Sequence, residues 1–294
     1  MPPPGLVFLT PVALFLTFWA LCYWPLAGFV SVVKSGAKLG SGWVVRHTGP
    51  IGPYASMVLV ITVGGIAAVG AGYLFVELAE QVRLTTSAVN HADQIIHTWF
   101  GHEREAAATV LLTTATAIGG SAGLAAIVAV VAAVLLVRKE RASAIFLAVT
   151  AVAGSLLNTG LKMIFARARP DLASALAVAA SYSFPSGHAM NSFINFGALA
   201  YIALRQPWPW GAKSAALAMA LTLVVLIGVS RVYLGVHWAS DIAAGWSAGT
   251  VWVASTVVAF EMLLRLRARR RGAEPTSPVV DVPDKPVPAQ PATT

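Results

Sequence analysis

The apolar residues of this chain fall in long blocks, and that pattern decides most of what it can become. A helix needs about 20 apolar residues to cross the hydrocarbon layer of a bilayer, where it must satisfy its own backbone hydrogen bonds. Seven blocks run over 7–32, 56–80, 106–137, 142–166, 188–204, 213–230 and 238–264. They predict an all-α integral membrane protein. Composition agrees, since only 11% of the residues are charged, against about 25% in ordinary soluble domains. No repeat of solenoid type is expected.

The formal net charge of +8 raises the question of nucleic acid. Its distribution answers no. Arg265, Arg267, Arg269, Arg270 and Arg271 crowd directly after the last apolar block, where basic residues mark a cytoplasmic segment. Lys34, Lys38, Arg46, Arg138, Lys139, Arg141, Arg205 and Lys213 share that side if all seven blocks span. Loops 81–105, 167–187 and 231–237 then face outward. The first block lacks a basic leader, since Met1 is followed by three prolines, so no secretory signal is expected. Cys22 is the single cysteine and lies in an apolar block, which excludes an intramolecular disulfide.

Residues 86–104 interleave Val89, Ile95, Ile96, Trp99 and Phe100 with His91, Asp93, His97 and His102. That mixture predicts an amphipathic helix lying on the outer interface, outside the bundle core. No zinc-type carboxylate signature accompanies the histidines, and no metal site is expected. The Pro-rich segment after Gly272 is expected to be disordered.

Four cations break the charge rule: Lys162, Arg167, Arg169 and Arg231 lie at outward helix ends. Lys or Arg at a helix centre in the bilayer costs about 2.5–3.5 kcal/mol. A cluster of them calls for an anionic partner, and the outer loops hold no acidic cluster large enough. Lys162 and Arg169 are two turns apart and are expected to share a helical face, with Asn158 one turn earlier. The helix should end at Arg169, because Pro170 follows it. Guanidinium groups grip phosphate oxygens in a bidentate fork, and a lysine adds a point charge.

Pro185-Ser186-Gly187-His188 comes next, directly before an apolar block. Proline suits a first helical turn, so the amides of Ser186 and Gly187 are expected at a helix N-terminus, a ready anion site. His188 would stand beside the anion. Then Ser230-Arg231 is followed by His237 and Asp241, four residues apart and hence on one helical face. A carboxylate one turn from an imidazole can fix its tautomer and stabilise its cation.

Together, Lys162-x6-Arg169-Pro170, Pro185-Ser186-Gly187-His188 and Ser230-Arg231-x5-His237-x3-Asp241 resemble the three-part signature of the type-2 phosphatidic acid phosphatase (PAP2) superfamily. Every position of the signature is filled. The resemblance implies a six-helix PAP2-type transmembrane bundle, here blocks two to seven, plus an additional N-terminal hydrophobic helix and the interfacial amphipathic helix. The implied domains are residues 1–54, a phosphatase domain over 55–271, and a tail over 272–294.

The resemblance further implies a metal-independent phosphatase with no cofactor. His237 would attack phosphorus, Asp241 would orient it, and His188 would serve as acid and then base. Lys162, Arg169, Arg231, Ser186 and the Gly187 amide would hold the phosphoryl oxygens. Expected substrates are membrane lipids: phosphatidic acid, phosphatidylglycerophosphate or undecaprenyl diphosphate. The expected location is the cytoplasmic membrane, with the site facing the periplasm or exterior. A lipid phosphotransferase would share these residues. A lipid transporter or scaffold, and a soluble vanadium haloperoxidase, are the other readings; seven apolar blocks speak against the last.

Overall fold

The computed structural model describes residues 52–272 except 85, 103, 172–174 and 178–180, with side chains described over 61–267 outside those gaps. The expected N-terminal hydrophobic helix and the Pro-rich tail lie outside the described residues. Eight helices and no strand occur among the described residues: α1 Gly52–Gln81, α2 Ala88–His102, α3 Ala106–Ile118, α4 Ser121–Val137, α5 Arg141–Phe165, α6 Gly187–Arg205, α7 Trp210–Tyr233 and α8 Ala239–Gly272.

Among the described residues, four stretches are long and apolar enough to cross a membrane: Ile61–Gln81 of α1, α5, α7 and Ala239–Arg267 of α8. Ile66, Val69 and Tyr73 of α1 and Val149, Val152 and Leu156 of α5 stand exposed. Water would penalise such a surface, whereas lipid accepts it.

The sequence pattern marked 106–137 as one block, and the structure corrects this to two helices that meet at a bend of 56°. The cause is Gly119-Gly120. A Cβ on Gly119 would come within 2.3 Å of Ile227 Cγ2, so α7 packs into the space that this glycine leaves. Counted as one broken span, α3 and α4 raise the total to five. The expected six-helix core is reached only by adding α6.

That helix is the centre of the bundle, packed against α5, α7 and α8. Met190, Ile194 and Ala198 are fully buried, and so is Ser192; Asn195 is nearly so. A helix surrounded by protein need not be apolar all round, and polar or small residues suit close helix–helix contact. For this reason α6 falls short of the apolar character of a candidate span while sitting deepest.

Candidate active site

Local structure brings the motif residues to one end of the bundle. Helix α5 ends at Phe165, where Ala166 adopts a left-handed conformation (φ 45°) and its N–H closes on the Lys162 carbonyl. The expected continuous helix to Arg169 is thus corrected. Arg169 lies beyond the reversal, on a non-helical segment, and shares no helical face with Lys162. The two still converge: Lys162 Nζ donates to the Tyr182 carbonyl at 2.5 Å, and Arg169 Nη2 donates to the same oxygen at 3.3 Å.

Helix α6 opens with Ser186 as its N-cap, its hydroxyl accepting from the Ala189 amide at 3.5 Å. Pro185 stands before the cap rather than in the first turn. The Ser186 amide donates to the Asp241 carbonyl at 3.0 Å, so it is not free for an anion. Ser186 is fully buried and lies outside the cavity lining, whereas Gly187 and His188 are part of it. A Cβ on Gly187 would sit 3.0 Å from Asn158 Oδ1, which explains glycine there.

The third motif straddles the turn into α8. Gly235 (φ +74°) makes the left-handed turn that delivers His237. Asp241 reaches back from the first turn of α8, and its Oδ2 accepts from the Trp238 amide at 2.9 Å, satisfying a free helix-terminal N–H. The same oxygen accepts from Ser183 Oγ at 2.5 Å and faces His237 Nδ1 at 3.2 Å. His237 Nε2 lies 3.1 Å from Arg169 Nη1. A guanidinium only donates, so Nε2 must be the accepting nitrogen and Nδ1 must carry the proton. The tautomer with a lone pair on the cavity side follows. Burial pushes the His237 imidazole down to about 4, against the opposing pull of the Asp241 carboxylate. The ring is therefore neutral near pH 7.

Nε2 faces a cavity of about 870 Å³, lined among others by Asn158, Lys162, Arg169, Gly187, His188, Arg231 and His237. No Asp or Glu is among its lining residues. Arg231 is buried, with Nη1 on Thr116 Oγ1 at 2.7 Å. Arg169 donates Nε to the Ser181 carbonyl and Nη1 to the Val236 carbonyl, both at 2.6 Å. Burial lowers the Arg169 pKa, with Asp241 opposing. Three cations thus meet neutral oxygens around one chamber that contains a basic imidazole nitrogen and a second histidine. Such a chamber can bind a phosphoryl group and present a nucleophile to it.

Sequence reasoning missed the other face of this site. Arg167 was only a cation at an outward end. It is paired with two carboxylates, Nη1 on Asp241 Oδ1 at 2.7 Å and Nη2 on Asp93 Oδ2 at 2.8 Å. Asp93 comes from α2 and is almost fully buried. So α2 is not merely interfacial: one residue of it enters the protein interior. Asp93 is the one carboxylate within α2, and that was the available signal. The three histidines of that segment belong to no cluster of metal-ligating groups among the described residues.

An all-helical membrane fold with a histidine–aspartate pair facing a cation-walled cavity defines a class of membrane-embedded phosphoryl-handling proteins. The family model described as PAP2 superfamily matches residues 142–265. Phosphatidylglycerophosphatase B of Bacillus subtilis (strain 168) is 32% identical over 165 residues, which is 56% of this chain and 81% of that protein. The undecaprenyl-diphosphatase of Sulfolobus acidocaldarius is 30% identical over 132 residues, 43% of this chain and 59% of that one. Among solved structures, the transmembrane PAP2-type phosphatidylglycerolphosphate phosphatase from Bacillus subtilis superimposes with a TM-score of 0.61 at 31% identity, covering 67% of this chain and 96% of that one. The chain belongs to the PAP2 superfamily.

Proposed function

We propose that this protein hydrolyses a lipid phosphate or diphosphate at the outer face of the membrane through a phosphohistidine on His237. The observation that carries this reading is the unprotonated Nε2 of His237, backed by Asp241, on the wall of a cavity faced by Lys162, Arg169 and Arg231. The Nε2 lone pair attacks phosphorus, and the bond from phosphorus to the lipid oxygen breaks. Protonated His188 gives its proton to that oxygen. It then takes a proton from the water that attacks the phosphohistidine, releasing phosphate and restoring both rings. Asp241 offsets the positive charge on the His237 ring in between. The Gly187 amide and the three cations hold the phosphoryl oxygens as charge builds.

Two features support a lipid substrate. The cavity lining extends along α5 through Ser155, Thr159 and Met163, and Met163 is 66% exposed on the lipid-facing side. Relatives are named for phosphatidylglycerophosphate and undecaprenyl diphosphate. The outer placement is supported by charge. Helices α5, α6, α7 and α8 each carry a motif residue at one end and Arg141, Arg205, Lys213 or Arg265 at or near the other.

The test is phosphate release by detergent-purified protein on phosphatidic acid, phosphatidylglycerophosphate and undecaprenyl diphosphate, with EDTA present, beside His237→Ala. Release that survives EDTA and falls by about 10⁴-fold or more in the variant is expected. Release from soluble esters only would refute the lipid reading, and full activity of the variant would refute the phosphohistidine.

A further inference from the structure

Behind the His237–Asp241 pair lies a second, largely buried charge system. Asp241 is inaccessible to solvent, and its two oxygens are used differently: Oδ2 faces Ser183, the Trp238 amide and His237, while Oδ1 takes Arg167 Nη1. The fork of Arg167 spans the gap to α2. Nη1 also donates to Ser240 Oγ at 2.8 Å, and Nη2 donates to Asn90 Oδ1 and Asp93 Oδ2, each at 2.8 Å. Asp93 in turn accepts the Ser240 amide at 2.9 Å and the Ser240 hydroxyl, so it also caps the start of α8. The guanidinium lies over the Trp238 ring, its carbon 5.6 Å from the ring centre.

Resting on the phosphohistidine reading above, we propose that Arg167 is a positioning residue that sets the plane and the charge of the Asp241 carboxylate, and that α2, through Asp93 and Asn90, holds Arg167 for that task. The geometry is specific to a guanidinium. Its two nitrogens must reach carboxylates on opposite sides, which a lysine ammonium cannot do from one position. The charge count gives Asp93 a part in the reaction. Arg167 and Asp241 alone are neutral, so they would stabilise a cation on His237 weakly. With Asp93 the triad carries a net −1, and that charge is available when the His237 ring becomes cationic on phosphorylation. A carboxylate left without its buried cation would instead favour protonation and lose the Nδ1 acceptor. Arg167 also borders the cavity, but its two Nη groups are taken by Asp241, Ser240, Asn90 and Asp93, so its effect is carried through Asp241.

The experiment is a double-mutant cycle on purified full-length protein, with Arg167→Lys, Asp93→Asn, Asp241→Asn and the combined Arg167→Lys/Asp241→Asn. Arg167→Lys is expected to lower kcat by about 10–100-fold, the range for partners that orient a reacting group, with KM within about twofold. Asp93→Asn should lower kcat several-fold in the same manner. In the Asp241→Asn background the lysine change should alter the residual kcat by less than about twofold, because the group it acts through is gone. Equal losses in both backgrounds, or a rise in KM at constant kcat, would overturn the proposal. Thermal melting and size-exclusion elution report folding, and Asp93→Asn carries the cycle if Arg167→Lys does not fold. If the wild-type protein releases phosphate from no lipid, the function reading fails separately. The positioning claim is then read from the ¹⁵N-histidine NMR spectrum, with His237 assigned by its loss in His237→Ala. Arg167→Lys must move the His237 Nδ1 resonance, and an unmoved resonance sinks it.

Discussion

Arg167 and Arg169 stand two residues apart on one non-helical segment, yet they live in opposite electrostatic worlds. Arg167 is fastened by Asp93 and Asp241, and its charge is cancelled within the protein. Arg169 meets carbonyls, a serine hydroxyl and a histidine nitrogen, none of them a carboxylate. Lys162 and Arg231 follow the pattern of Arg169, bonded to Tyr182 and Thr116. A cation partly withdrawn from water that meets only neutral acceptors has lost hydration without gaining an opposite charge. On the proposed reading such groups suit an anion, whereas Arg167 already has two carboxylates. By that reading, proximity to the cavity does not make a cation a phosphate ligand; its pairing decides.

The largest expected effect breaks the comparison if it fails. Arg169→Met should lower kcat/KM by about 10²–10³-fold, the cost of removing one donor to developing oxyanion charge. It should also weaken inhibition by vanadate, which stands in for the phosphoryl group. Arg167→Lys should leave vanadate inhibition nearly unchanged while slowing turnover. If both variants lose vanadate affinity equally, the division between wall and support is wrong.

Why the sequence showed one half of this site and hid the other follows from distance along the chain. Lys162, Arg169, His188, Arg231, His237 and Asp241 sit in short motifs whose residue types state their chemistry. The Ser186 hydroxyl looked like a ligand in the same motif, but helix capping uses it. Asp93 lies far from Arg167 and Asp241 in sequence, inside a segment whose apolar and polar residues alternate as on any surface helix. Asp93 is the one carboxylate among the fifteen residues of α2, but its position in the sequence alone does not say that it faces inward. The break at Gly119-Gly120 was visible as a glycine pair, but the continuous hydropathy around it masked the bend. Helix α6 shows the converse: its polar residues weaken the span signal because protein, not lipid, surrounds it.

A second prediction sharpens the comparison through pH. His237 is held near 4 by burial, so its Nε2 is free down to that value. At pH 5 an imidazole at its ordinary value near 6.5 would be about 3% neutral, against about 90% here, a difference of roughly thirtyfold. The acid limb of kcat/KM should therefore have its midpoint nearer 4 than 6.5, and a mixed-buffer rate profile reads this. The same shift has a stability counterpart. The unfolded chain binds a proton on this residue below about 6.5 while the folded protein resists it until about 4. The contribution is thus complete above 6.5 and is lost as pH falls through that window. Melting temperatures from pH 7 to 4 should drop less steeply in His237→Gln than in the wild type.

The smallest expected effect concerns how the wall is held. Arg231 Nη1 donates to Thr116 Oγ1 at 2.7 Å, and its buried Nε has no protein partner. Thr116 belongs to α3, just before the glycine bend, so the geometry of α3 against α7 reaches the cavity through this bond as well as through Gly119, which lines it. Thr116→Val keeps the shape and removes the acceptor, worth about 1 kcal/mol or roughly a fivefold change. On the proposed assignment Arg231 holds the bound phosphate before and during reaction, so that loss should raise KM about fivefold and leave kcat nearly unchanged. Arg231→Lys should cost more, since it loses the fork itself. A Thr116→Val variant that lowers kcat instead would mean that Arg231 is reoriented between ground state and transition state. The cation wall would then be a moving part of the site, as dependent on its hydroxyl anchor as Asp241 is on Arg167.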